Sequence, residues 1–347
     1  MSAKGTLLFI GNFLPVPRYN KNVWHFLAEN LSHSGWNVIT TSNKENQFFR
    51  LVEMLFTIWR SRRSYQIAHI DVFSGKALLY AKISTILLRW LNKTIVLTLH
   101  GGGLPEYAVK HPRYVRQVLT AADVVVTPSA YHQQAFLSIR SDIKLIANPI
   151  NLQEAVYRER SVAAPRLIWV RAFHNVYNPD MAIRVLHLLS LEYPEIHLCM
   201  LGPDKGDGSL ESALKLSKQF GVESKLQIVG HVTHAEVPRW LDQADIFINT
   251  SNYDTAPRSL LEAMANGLCV VSTNVGGIPM MATDKVEAIL VDPDDFEAMA
   301  LAVKHVLDSP DLTNKLSKNA RLRAEQSDWS AILPKWDALF SELLQTN

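Results

Sequence analysis

The sequence predicts an α/β protein of two similar domains, each a parallel sheet with helices on both faces. Three observations carry that prediction. Short apolar runs alternate with helical patterns along the first half of the chain. The alternation restarts at Arg166. Between the two halves lies NPINLQEAVYRERSVAAPR, which is polar, proline-containing and weakly periodic. A length of 347 residues suits two domains, and 48% hydrophobic with 20% charged residues is the composition of a packed globular protein.

The elements follow in order. TLLFIG (6–11) reads as a buried strand, and Val23, Phe26, Leu27 and Leu31 then recur at helical spacing. Ser34-Gly35 turns the chain into WNVIT (36–40). IAHI (67–70), TIVLTLH (94–100), DVVVTP (123–128) and IKLIAN (143–148) are further strands, with helices between most of them. In the second half RLIWVR (166–171), IHLCMLG (196–202), KLQIVG (225–230), DIFINTS (245–251), LCVVST (268–273) and AILVD (288–292) are strands. Helices are predicted near 179–191, 210–221, 237–243 and 259–266, and from Ala298 to the end. Strands separated by helices imply parallel sheets covered on both faces. The last helix is expected to cross back onto the first domain, because Trp329 and Trp336 need a surface to bury against.

A net charge of +2 argues against a protein coated for nucleic acid. The only cysteines, Cys199 and Cys269, sit in apolar strands and form no disulfide framework, which points to a reducing cytosol. No secretory leader pattern and no run of 18 apolar residues is visible. One segment stands out: FFRLVEMLFTIW (48–59) followed by RSRRS. Phe48, Leu51, Val52, Leu55 and Trp59 share a helical face, widened by Phe49, Met54, Phe56 and Ile58. Two readings are open: a helix buried on most sides, or a membrane-surface helix anchored by Arg60, Arg62 and Arg63.

The sharpest motif is NTSNYDTAPRSLLEAMANGLCVVSTNVGGIP (249–279). A strand ends near Ser251, a polar loop carries Asp254, and Pro257 and Ser259 open a helix that carries Glu262. Free N–H groups at such a helix start suit the phosphates of an anionic ligand. Carboxylates beside it suit sugar or ribose hydroxyls. The competing reading is a capping box, in which Glu262 reaches back to the backbone of Ser259.

Seven residues lie between Asp254 and Glu262, an acidic-x7-Glu spacing that resembles the family-4 retaining glycosyltransferases of the GT-B fold (glycosyl transferases group 1). AMANGLCVVSTNVGGIP is similar to that family's signature. IVGHV (228–232), LDQADIFINTS (241–251), ILVDPDD (289–295), TLHGGGLPEY (98–107), AADVVVTPSAYHQQAF (121–136) and IANPIN (146–151) have counterparts in order and spacing. The resemblance implies two Rossmann-like β/α/β domains facing each other across a cleft: an acceptor-side domain over 1–160, a nucleotide-sugar donor domain over 161–325, and a terminal helix over 326–347.

It also implies roles. Arg171 would stabilise the leaving phosphate, since a guanidinium fork suits a diphosphate; without the family a surface salt bridge is the ordinary reading. Glu262 would accept from the donor ribose and Asp254 would touch the transferred sugar. Backbone groups at Arg258, Ser259 and Leu260 would hold the diphosphate, and Val232 would pack near the base. His100 would approach the donor sugar, or serve structure alone. Gly11, Asn12, Gly101, Gly102 and Gly103 would form acceptor-side loops.

Two departures stand out. Asn178 occupies the position of the family's usual lysine, so Lys205, His174 or the helix N–H groups must supply the missing charge; Lys205 is equally an exposed loop residue. Gly11-Asn12 replaces a Gly-Gly pair.

No HExxH- or CxxC-type metal spacing is present, and the resembling family needs no DxD metal site, so metal-independent chemistry is expected, with no cofactor beyond the nucleotide-sugar co-substrate. The implied activity is retaining transfer from a UDP- or GDP-sugar to a glycan or lipid-linked acceptor, in cell-surface polysaccharide or glycoconjugate synthesis. A cytoplasmic or peripheral inner-membrane seat goes with it, and no nucleic-acid partner does. Two alternatives remain: a GT-B-type sugar-nucleotide 2-epimerase, and a two-lobe sugar-binding protein.

Overall fold

The computed structural model describes residues 4–14 and 22–345, and the chain divides into two units, 1–149 with 330–347 and 150–329. Unit 1 opens with β1 (Thr6–Ile10), α1 (Val23–His33), β2 (Asn37–Thr41), α2 (Gln47–Arg60), β3 (Ile67–Val72) and α3 (Lys76–Trp90). It continues with β4 (Thr94–Leu99), α4 (Leu104–Lys110), α5 (Pro112–Thr120), β5 (Val124–Thr127), α6 (Ala130–Ala135) and β6 (Lys144–Leu145). Every described pairing is parallel, in the order β2-β1-β3-β4-β5-β6. Parallel strands buried on both faces need continuous apolar runs, and β4 is buried at all six positions.

Unit 2 repeats the scheme with β7 (Arg166–Val170), α7 (Pro179–Ser190), β8 (His197–Leu201), α8 (Ser209–Phe220), β9 (Leu226–Gly230) and α9 (Val237–Asp242). Then come β10 (Ile246–Asn249), α10 (Arg258–Ala265), β11 (Cys269–Thr273), α11 (Ile278–Met281), β12 (Ala288–Val291), α12 (Phe296–Asp308) and α13 (Pro310–Glu325). Its sheet runs β12-β11-β10-β7-β8-β9. Two cores flank the sheet. One is built on Trp169, Ile183, Leu186 and Met299, the other on Phe247, Leu260, Met264 and Val270. Of the twelve described strands, ten fall within the apolar runs read from the sequence, while β2 runs one residue and β3 two residues past theirs.

The polar stretch before β7 is fastened to unit 2. The buried guanidinium of Arg160 reaches Asp245 at 3.3 Å, and Arg158 and Arg166 each approach the same carboxylate at 2.8 Å. Burial pushes the Asp245 carboxyl up, but hydrogen bonds from Arg166, Arg158 and the Ala164 N–H, with the charge of Arg166, hold it below its ordinary value. The first unit therefore ends at Pro149.

The closing helix α14 (Trp329–Gln345) returns to unit 1 from residue 330. Its Trp336 meets the His69 ring at 5.5 Å, and its Phe340 meets Trp36 at 5.9 Å. Trp36 Nε1 donates to Asp337 at 2.7 Å.

Helix α2 departs from the reading that buries it on most sides. Only Met54 and Ile58 are buried, whereas Phe48, Phe49, Val52, Phe56 and Trp59 lie on the surface. A helix on an α/β sheet turns one stripe inward, and here Met54 and Ile58 supply it.

Candidate active site

Topology nominates the site. In an open parallel sheet, ligands bind beyond the carboxyl ends of strands where the winding reverses. In unit 2 the reversal falls between β7 and β10. Strand β7 leads directly into Arg171, and β10 leads into the loop that carries Asp254.

The structure brings these two residues together. Arg171 Nη2 is ion-paired with Asp254 Oδ2, both side chains being largely buried. The Tyr177 ring faces the guanidinium at 4.9 Å, a cation–π contact that fixes its plane. Arg171 Nε is buried with no hydrogen-bond partner, and so is Ser259 Oγ. An unsatisfied buried donor costs about 1–3 kcal/mol. Both atoms therefore suit a ligand rich in acceptor oxygens.

The loop that presents Asp254 is locked by the glycine pair in VGGIP. Gly277 N–H donates to the Asp254 carbonyl at 2.9 Å. A side chain on Gly276, whose φ is +54°, would collide with that same carbonyl. Thr255 N–H then donates to Asp254 Oδ1 at 2.8 Å.

Helix α10 starts at Arg258 behind Pro257, with no side-chain cap. The capping-box reading of Glu262 is overturned. Glu262 Oε1 is hydrogen-bonded with His234 Nε2 at 2.8 Å and ion-paired with Arg258 Nε at 2.9 Å, rather than bonded to the backbone of Ser259. The first-turn N–H groups at Arg258, Ser259 and Leu260 are left at the positive end of the helix dipole. The Leu260 side chain is core, so only its backbone can serve a ligand.

Burial pushes the Glu262 carboxyl up. The His234 hydrogen bond and the charges of Arg258, His234 and Arg171 outweigh that and hold it below its usual range. Glu262, Arg258 and His234 open onto a pocket of about 300 Å³, together with Asn151, Glu154 and Pro238. Val232 is half-buried against the same core cluster that backs α10.

Asn178 takes a purely polar role. At φ +47° it caps α7, accepting from Met181 N–H at 3.2 Å. Its amide donates to Asn252 at 3.2 Å and Asp294 at 3.1 Å. Of the replacement cations, His174 turns toward Asp207, 3.8 Å away. Lys205 is exposed, on a loop joined to the β7 exit by Lys205 N–H donating to the Phe173 carbonyl at 3.1 Å.

In unit 1 the winding reverses between β1 and β3. Gly11 leaves β1 with the Asp71 carboxylate pressed where a side chain would stand. Asp71 Oδ1 lies 4.0 Å from both His69 Nδ1 and His100 Nε2, and all three atoms are buried without a partner. Burial pushes the Asp71 carboxyl up and lowers His69 to about 3. Burial, then the neighbouring His69 and His132, push His100 down as well. The His100 ring is held 4.1 Å from Trp24. Asn12 lines a pocket of about 400 Å³ with Arg50, Asp71, Phe73 and Tyr80. Gly101, at φ +79°, meets the Phe73 ring; Gly102 and Gly103 form the turn into α4.

Sequence reasoning missed His234, His69 and Asp71. His234 lies 28 residues before Glu262 and no local pattern joins them. His69 and Asp71 did leave a signal, as two polar residues at strand period in an otherwise apolar run.

The fold is that of the GT-B glycosyltransferases. Residues 158–323 match the family described as Glycosyl transferases group 1, and the chain carries a domain of that family. A D-inositol 3-phosphate glycosyltransferase from Thermobispora bispora is 23% identical over 329 residues, 85% of this chain and 76% of that protein. Among solved structures, sucrose-phosphate synthase from Thermosynechococcus elongatus superposes with a TM-score of 0.82 at 18% identity, covering 99% of this chain and 100% of that one. HepE of Anabaena in complex with UDP-glucose superposes with a TM-score of 0.80 at 16% identity, covering 97% and 100%.

Proposed function

We propose that the protein transfers a sugar with retention from a UDP- or GDP-sugar to a glycan or lipid-linked acceptor, without a metal ion. The observation that carries this reading is the convergence of Arg171, Asp254, Ser259 and the α10 start at the switch point of unit 2. As the glycosidic bond breaks, negative charge grows on the departing diphosphate. Arg171 and the uncapped N–H groups at 258–260 meet that charge in a largely buried setting, where such stabilisation counts most. Glu262, held as a carboxylate, is suited to accept from ribose hydroxyls. Asp254, positioned by Gly277 and Thr255, is suited to a hydroxyl of the transferred sugar. The acceptor hydroxyl attacks the face the nucleotide leaves, and the leaving phosphate takes its proton.

The UDP-glucose bound by HepE supports a nucleotide-sugar donor. The test is a thermal-shift screen across nucleotide sugars, followed by incubation of the best binder alone. A specific stabilising donor that stays intact without acceptor is expected. Stabilisation by none would overturn the reading, and conversion of the donor alone into a new nucleotide sugar would replace it with epimerisation.

A further inference from the structure

The outer surface of α2 and α3 carries a cluster of exposed large apolar side chains. On α2, Phe48, Val52, Phe56 and Trp59 recur at helical spacing, and Phe48 and Phe56 are 70% and 56% exposed. On α3, Leu79, Ile86 and Trp90 do the same, with Trp90 68% exposed. Trp59 and Trp90 stack face to face at 5.5 Å, which sets the two stripes side by side. Nothing in the fold of unit 1 uses these rings, because the inward stripe of α2 is Met54 and Ile58.

Charge says what covers the face. The stretches 47–63 and 77–93 hold seven Lys or Arg and one acid, Glu53, although the whole chain carries only +2; of the seven, Arg89 is paired with Asp123 at 3.0 Å. Glu53 is itself engaged by Ser42 and by Asn43 N–H. Arg60 lies over the Phe56 ring at 5.9 Å and Arg62 over the Trp59 ring at 4.3 Å. Among the described residues, no carboxylate pairs with Arg60, Arg62 or Arg63. Aromatic anchors with arginines at their edge match a layer that is apolar inside and anionic at its surface. No helix among the described residues is long and apolar enough to cross a membrane.

The same two helices wall the pocket of unit 1, through Arg50 and Met54 from α2 and Ala77, Tyr80 and Ala81 from α3.

We propose that the α2–α3 face seats the protein on an anionic lipid bilayer, with the Asn12–Asp71–Tyr80 pocket beside the headgroups, so that its acceptor is an amphiphile drawn from that bilayer. The acceptor clause rests on the glycosyl-transfer reading; the docking does not.

The experiment is flotation of the full chain with vesicles of equal parts phosphatidylglycerol and phosphatidylcholine, and with phosphatidylcholine alone, without nucleotide sugar. The chain is expected to float with the anionic vesicles and to be released by salt. The triple variant Phe48→Ser, Phe56→Ser, Trp90→Ser and the pair Arg62→Glu, Arg63→Glu should each lose at least about tenfold in partition with unchanged thermal melting. Failure to float, or flotation that both variants keep, overturns the proposal. A wild-type dimer that the triple variant dissolves, with no flotation, assigns the face to a second copy instead. Nucleotide-sugar stabilisation of the triple variant is read separately, so loss of docking and failure of the transfer reading are told apart.

Discussion

His234 Nε2 lies 2.8 Å from Glu262 Oε1, across 28 residues of chain, and supplies the hydrogen bond that most opposes the burial of this carboxyl. It makes Glu262 an oriented carboxylate and not a helix cap. Glu262→Gln removes the charge while keeping the shape. Since a charged hydrogen bond contributes about 1.5–3 kcal/mol, donor affinity should fall at least about tenfold by calorimetry. His234→Ala removes only the orienting bond, and its effect should be about two- to tenfold. In that variant the Glu262 carboxyl rises, so donor binding should fail at higher pH than in the wild type. Unchanged affinity in both variants, with lowered stability, would return Glu262 to a structural role.

Arg171 holds Asp254 with one nitrogen and keeps Nε unpartnered and buried. Lysine would preserve the charge but lose the fork and its stacking on Tyr177. Arg171→Lys should therefore lower kcat/KM by about 10–150-fold, the equivalent of one charged hydrogen bond in the transition state. Steady-state kinetics with matched thermal melts check this. A variant that loses only stability refutes it.

Much of this was legible in the sequence, for reasons that differ by element. The strands were readable because parallel strands buried on both faces must be continuously apolar, as VVVT at β5 and CVVST at β11 are. Arg171 and Asp254 were singled out through the family resemblance, and the fold brings their side chains together beyond the ends of β7 and β10. The Glu262 partner was not, because His234 and Glu262 meet only once β9 and α10 are folded. The exposed side of α2 was left between two readings, since an apolar helix face has the same spacing whether it meets core or surface. Asn178 was correctly marked as uncharged, but its bonds to Asn252 and Asp294 come from three separate loops.

Two glycines separate strain from contact. Gly276 and Gly206 both have positive φ, +54° and +71°. A side chain on Gly206 meets open space, whereas one on Gly276 strikes the Asp254 carbonyl. Gly206→Ala should cost only the left-handed backbone strain, about 1–2 kcal/mol by denaturant titration, with activity intact. Gly276→Ala should cost more than that and abolish turnover, because Asp254 must move. Equal stability losses with equal retention of activity would show that the loop relaxes freely.

The buried histidines of unit 1 give the stability a pH dependence whose sign can be worked out. Burial lowers His69 to about 3 and His132 to about 4, against an ordinary value near 6.5. Below about pH 6.5 the unfolded chain therefore binds protons that the folded chain refuses. Stability is complete above that pH and declines as pH falls toward 4, by up to about 1.4 kcal/mol per pH unit for each imidazole. His100, pushed down by burial and its neighbours, adds to the same slope. Asp71 opposes it: its carboxyl is raised by burial, so above about pH 4 the folded chain holds a proton the unfolded chain has lost. Asp71→Asn removes only the opposing group. Urea titrations at pH 7 and pH 5 should therefore show the wild type weakening on acidification and the Asp71→Asn protein weakening more steeply. Equal stability of the Asp71→Asn protein at the two pH values would mean that these imidazoles take up protons in the folded chain as readily as in the unfolded one.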